Sequence, residues 1–261
     1  MKGRDRALKA KVQAAGLLAL SPALRLRLLL WLGLLLLSTP CLAGPAEDAA
    51  AAYKRGDYGN AMRLYRSLAD QGDPRAQNSL GRMYLRGQGA GKDYGEAMKW
   101  FRRAAALGIA DAQYNLGEIF LREYGVEQDL VEAARWYTRA AEQGHIAAQF
   151  TLAVLYTIGR GVSKNPQKAA YWFDRAATQG NPDAQVELGI LYGTGRGVPK
   201  DAVTAYKWLT LGQTYARTTT VRARAADSLA RLSKGMTPTQ ISEAQRQARE
   251  WKAVPAKGGR S

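Results

Sequence analysis

The sequence is short of the residues on which many enzyme sites and most small exported domains depend. It holds one cysteine and one histidine in 261 residues. One histidine excludes a histidine dyad or a poly-histidine metal site, and one cysteine excludes an intramolecular disulfide. Acidic side chains are few beside basic ones, 22 against 38, for a net charge of +16. The longest unbroken apolar run, Leu28 to Leu37, has ten residues, about half of the ~20 that a membrane-spanning helix needs.

The charge imbalance is local. Residues 1–43 carry seven Lys/Arg and one Asp, Gly44 to Pro199 carry 19 basic and 17 acidic residues, and Lys200 to Ser261 carry 12 and 4. The first segment runs from basic residues through the apolar run to Ser38-Thr39-Pro40-Cys41-Leu42-Ala43. That is the order of a secretory signal, so residues 1–43 are expected to direct export and to be cut before Gly44, with Ala46 marking a second possible cut. The alternative is an uncleaved anchor in the inner membrane through residues 28–43. Proline directly before Cys41 fits lipidation poorly. The basic C-terminal third carries no aromatic-interleaved stripe, so no nucleic-acid partner is expected; it reads as a solvated face.

What the sequence does have is a 36-residue period. Trp100, Trp136, Trp172 and Trp208 keep it, as do Ala97, Ala133, Ala169 and Ala205, Gln77, Gln113, Gln149 and Gln185, and Gly89, Gly125, Gly161 and Gly197. Tyr84, Phe120, Tyr156 and Tyr192 form a further column. A fixed period of this size signals stacked supersecondary units. In the unit from Ala148 to Asp183, Ala148, Leu152, Leu155 and Tyr156 share one helical face. Gly159-Arg160-Gly161 ends that helix, and Asn165-Pro166 starts a second one. Ala169, Trp172, Ala176 and Ala177 share a face of that second helix. The small residues let the helices approach, and the tryptophan is expected to fill the space between them. Such a hairpin cannot bury its apolar face alone, so the units must stack.

The pattern A-x-x-x-L-G-x-x-Y-x-x-G-x-G-V-x-x-D-x-x-x-A-x-x-W, read from Ala184 to Trp208 and in register in the other units, resembles the Sel1-like repeat, a relative of the tetratricopeptide repeat. Three positions depart from it: Glu123 replaces the first turn glycine, Ala153 stands where Gly81, Gly117 and Gly189 stand elsewhere, and Asn165 replaces Asp93, Asp129 and Asp201. The resemblance implies an all-α fold, an α/α superhelical solenoid. Residues 46–75 then form a tetratricopeptide-like capping hairpin, 76–216 four repeats, 217–252 two C-terminal capping helices, and 253–261 a disordered tail.

Candidate chemistry is sparse. His145 lies in a turn column with Asp73, Ile109 and Asn181 and reads as a surface turn residue. The glycines at 87, 89 and 91, followed by Lys92, have the look of a phosphate loop, but they recur in later units with no strand before them, so an inter-helix turn explains them. Asp93, Asp129 and Asp201 occur once per unit and read as caps of the second helices. No catalytic, metal or cofactor residues are assigned. A binding face is better supported. On the first helix of each unit, the arc opposite the core columns holds Arg82; then Tyr114, Glu118, Leu121 and Arg122; then Phe150, Val154 and Ile158; then Val186 and Ile190. It grows apolar toward the C-terminus, which marks either a partner site or a surface covered by the two C-terminal helices. The resemblance implies a non-enzymatic periplasmic scaffold that binds a protein or peptide of the cell envelope through this concave face. The alternative is an enzyme or accessory factor acting on cell-wall or exopolysaccharide material.

Overall fold

The computed structural model describes residues 44–254. The leader expected over residues 1–43 and residues 255–261 of the expected tail lie outside the described residues. The chain divides into two units at Glu47/Asp48, and the account below concerns the second. Twelve helices and no strand are found among the described residues. The first hairpin pairs α1 (Pro45–Lys54) with α2 (Tyr58–Asp70). Four further hairpins follow: α3 (Pro74–Arg86) with α4 (Tyr94–Ala106), α5 (Ala110–Arg122) with α6 (Leu130–Glu142), α7 (Ile146–Ile158) with α8 (Pro166–Thr178), and α9 (Pro182–Thr194) with α10 (Ala202–Tyr215). Then come α11 (Thr219–Ser233) and α12 (Pro238–Glu250). The all-α solenoid expected from the sequence is what the chain forms.

Most helix starts carry a side-chain cap, that of α5 at Ile109 being an exception. The Asp57, Asp93, Asp129 and Asp201 carboxylates accept backbone N–H groups at the heads of α2, α4, α6 and α10. Asn165 does the same for α8, its Oδ1 2.9 Å from Lys168 N. A neutral acceptor fills the cap as well as a carboxylate does, so this departure leaves the geometry unchanged. The left-handed ends of α3, α7 and α9 fall on Gly87, Gly159 and Gly195. α5 ends the same way on Glu123, the one non-glycine residue with positive φ (59°) among those described.

Within each unit, the first helix meets the second through a contact that the tryptophan column does not make. A Cβ on Gly81 would lie 2.7 Å from the Phe101 ring, one on Gly117 2.7 Å from Tyr137, and one on Gly189 2.7 Å from Leu209. Phe101, Tyr137, Phe173 and Leu209, each one residue after a tryptophan, are almost fully buried. Burying side chains of this size contributes about 1.5–3 kcal/mol each. The tryptophans share the core with this column rather than filling it alone. Trp100, Trp172 and Trp208 are buried and Trp136 is half-buried, and cations cover three of the rings: Arg103 over Trp100 at 4.7 Å, Arg139 over Trp136 at 4.6 Å and Lys207 over Trp208 at 4.7 Å.

Between units two further columns act. The second loop glycine sits against the head of the preceding second helix. A Cβ on Gly89 would run into the Tyr58 carbonyl, on Gly161 into that of Leu130, and on Gly197 into that of Pro166. Gly125 packs on Tyr94 in the same way, and Tyr124 stacks on the Tyr94 ring at 5.3 Å. The buried glutamines tie each first helix to the last turn of the helix before it. Gln77, Gln113, Gln149 and Gln185 donate Nε2 to the carbonyls of Ala69, Ala105, Ala141 and Ala177 at 3.2, 3.3, 3.0 and 3.2 Å. The Gln113 and Gln149 amide oxygens also accept from Gln143 and Gln179 at 2.7 Å. The matching positions beyond Gln77 and Gln185 hold Leu107 and Tyr215, and there the buried Oε1 atoms accept nothing.

The last two helices split around α10. α11 lies against α10 and α9, with Val186, Leu209 and Ala225 at the centre of the contact. α12 packs on α10. Just after α12, Trp251 meets Trp208 edge-on at 6.0 Å, and Val254 N donates to Thr178 O at 2.8 Å.

Candidate partner-binding face

The arc singled out in the sequence falls on α3, α5, α7 and α9, and the structure divides it into three stretches. The first is polar. Glu118 on α5 accepts from the Tyr137 hydroxyl at 2.7 Å and from Arg122 Nε at 2.5 Å. Burial, with the Glu118 carboxylate next in weight, pushes the Tyr114 phenol up to about 12. The same two causes hold Tyr137 well above the ordinary phenol range. Tyr114 stacks on the His145 ring at 4.7 Å. Arg82 is half-buried on α3, and Leu121 packs against the core from α5.

His145 is more than a turn residue. Its Nδ1 accepts the Ala148 N–H at 3.1 Å and so caps α7. Its Nε2 lies 3.2 Å from Asp111 Oδ1. Both contacts fit the neutral tautomer with its proton on Nε2. The hydrogen bond from His145 holds the Asp111 carboxyl below the ordinary carboxylate range. The reading as a plain surface residue is corrected: the imidazole does for α7 what Asp73 and Asn181 do for α3 and α9.

The second stretch, on α7, is apolar and open. Phe150 leans on Phe173 at 5.7 Å, Val154 is half-buried, and Ile158 is 52 % exposed. The third, on α9, is covered. Val186 is 1 % exposed against Leu209 and Ala225, and Ile190 packs into the same cluster with Val221, Leu229 and Leu232. The Arg224 guanidinium grips both carboxylate oxygens of Glu187, with Nη2 3.0 Å from Oε2. Val186 thus belongs to the packing of the chain itself. The apolar drift toward the C-terminus has two origins: α11 accounts for Val186 and Ile190, and nothing among the described residues covers Ile158 to the same degree.

Glu118, Arg122, Tyr137, His145 and Asp111 are held in structural bonds. Among the described residues no cluster of three or more His, Cys, Asp or Glu could hold a metal ion. The column of Phe101, Tyr137, Phe173 and Leu209 was missed in the sequence, although it keeps the same 36-residue spacing as the tryptophans beside it. The Gln143 and Gln179 partners carry the same signal.

Two-helix units stacked in register, with one row of helices leaving a side-chain face open, define a helical-repeat scaffold. The Sel1 repeat model matches residues 50–73, 74–109, 110–145, 146–181 and 182–212. The chain belongs to the Sel1 repeat family. A Sel1 repeat protein from Oxalobacter formigenes is 30% identical, over 80% of this chain and 86% of its own, with a TM-score of 0.67. A putative Sel1 repeat protein from Klebsiella pneumoniae subsp. pneumoniae is 23% identical over 72% of this chain and 99% of its own, at a TM-score of 0.45. A protective antigen of uropathogenic Escherichia coli strains is 23% identical over 79% of this chain and 60% of its own, at 0.41. None of the curated proteins matches the chain. Sel1 repeat proteins are generally protein-interaction scaffolds and typically non-enzymatic.

Proposed function

We propose that the chain is an exported scaffold of the cell envelope that holds a protein or peptide on the open face of α3, α5 and α7. The observation that carries this reading is the juxtaposition on that face. Apolar Phe150, Val154 and Ile158 lie beside a polar stretch that carries both signs of charge, Arg82 and Arg122 with Glu118 and Asp111. Apolar anchors supply most of the energy in such contacts, often 2 kcal/mol or more each, while charges set orientation and encounter rate. A segment with an apolar stripe and polar or charged residues at one end suits both stretches. Export rests on the basic, apolar, small-residue order of residues 1–43.

Ile158→Asp and Arg122→Glu test the face, because both side chains are exposed. Affinity capture on the parent chain from its own cells, followed by mass spectrometry, should recover a partner that both variants lose at unchanged melting temperature. Recovery of the same proteins by parent and variants alike would sink the reading. The mature protein should begin at Gly44 or Glu47 in the periplasmic fraction; retention of residues 28–43 in the membrane fraction favours the anchor.

A further inference from the structure

We infer that the cleft between α9, α10 and α11 binds a small amphiphilic anion, a free carboxylate on a short aliphatic chain. The cleft has a volume of about 350 Å³, at the lower end of the size range of ligand pockets. Its deep wall is apolar: Leu209 is buried, and Ile190 and Leu232 are half-buried beside it. Its exposed rim carries Lys200 and Arg231, and no carboxylate lines it.

The repeat does not produce this space by default. Gly193, which lines it, stands where the earlier units have Leu85, Leu121 and Thr157. Ala202, which also lines it, stands where they have Tyr94, Leu130 and Pro166. Two larger columns shrink in the same unit, at the two positions that open onto α11.

The charges point to the ligand. Neither Lys200 nor Arg231 forms an ion pair with a described residue; Arg231 reaches only the Ser228 hydroxyl, at 3.3 Å. Asp201, next to Lys200, is taken up by the α10 cap, where it accepts from Val203 N at 3.0 Å and Thr204 N at 3.1 Å. A planar guanidinium fork and an ammonium beside an apolar wall suit a carboxylate head with its tail buried. With no aromatic side chain in the lining, the tail is aliphatic.

Octanoate is the probe. Isothermal titration of the full chain should show saturable binding of about one equivalent, with no saturable binding of acetate, which lacks the tail, or of octylammonium, which reverses the charge. Gly193→Leu should abolish the binding by filling the cleft. A Cβ there lies 3.7 Å from both Ala205 Cβ and Leu232 Cδ1, an ordinary contact, so helical content and melting temperature should hold. Arg231→Gln, at an exposed site, should weaken binding about tenfold through the lost charge-assisted hydrogen bonds. The inference is overturned if octanoate shows no saturable binding, if octylammonium binds equally well, or if Gly193→Leu and Arg231→Gln both bind as the parent does.

Discussion

α7 and α9 hold the same place in neighbouring units, and their columns align: Phe150 with Val186, Ala153 with Gly189, Val154 with Ile190. Their surroundings differ. Phe150 on the open helix is half-buried, while its counterpart Val186 on the other is 1 % exposed beneath α11. One repeat position is therefore partly open in one unit and core in the next. In a stack, where each unit's stability includes its contact with the next, the neighbour settles what a given column does.

The widest separation should come from a buried charge. Val186→Asp places a carboxylate among Leu209 and Ala225 and should lower unfolding free energy by about 3–5 kcal/mol, read from urea denaturation. A loss under about 1 kcal/mol would mean that α11 does not cover α9 in solution. Next in size is Gly189→Ala, whose Cβ would lie 2.7 Å from Leu209 Cγ and 3.0 Å from the Ala205 carbonyl. Overpacking of this kind costs about 1–3 kcal/mol. The reverse change on the other helix, Ala153→Gly, should cost about 1 kcal/mol through helix propensity. Thermal melts showing that α9 accepts the methyl freely would erase the contrast.

A smaller effect has the opposite sign. The Gln149 oxygen has its donor in Gln179, whereas those of Gln185 and Gln77 have none. Leu107→Gln restores the missing donor beyond Gln77, and Leu107 is 59 % exposed, so little apolar burial is lost. A gain of about 1 kcal/mol is expected; an unchanged melting temperature would show that the new amide does not reach. Smallest of all, Ile158→Asp should leave stability within about 0.5 kcal/mol of the parent, and a larger loss would show that this stretch is packed as well.

The period made most of the fold legible. It gave the hairpins, their caps and the turn glycines, because each rests on local chemistry repeated four times. It was incomplete about the core: the tryptophans are part of it, but the residue one position on, facing a glycine in three of the four units, went unread. His145 went unread because an imidazole capping a helix depends on which nitrogen carries the proton, and that is set by Asp111 from the preceding unit. The binding face was half legible. Its columns follow from helical geometry, but α11 breaks the period, and no spacing within the repeats places Ala225 over Val186.

The loop glycines give the stack a direction. Gly89, Gly125, Gly161 and Gly197 each lean on the head of the second helix of the unit before, so support runs one way along the chain. Removing a hairpin from the amino-terminal side strands the next loop without its rest, while removing one from the other side leaves every remaining loop seated. A chain emerging from synthesis amino-terminus first meets each support before the loop that needs it. The order of emergence and the order of support coincide.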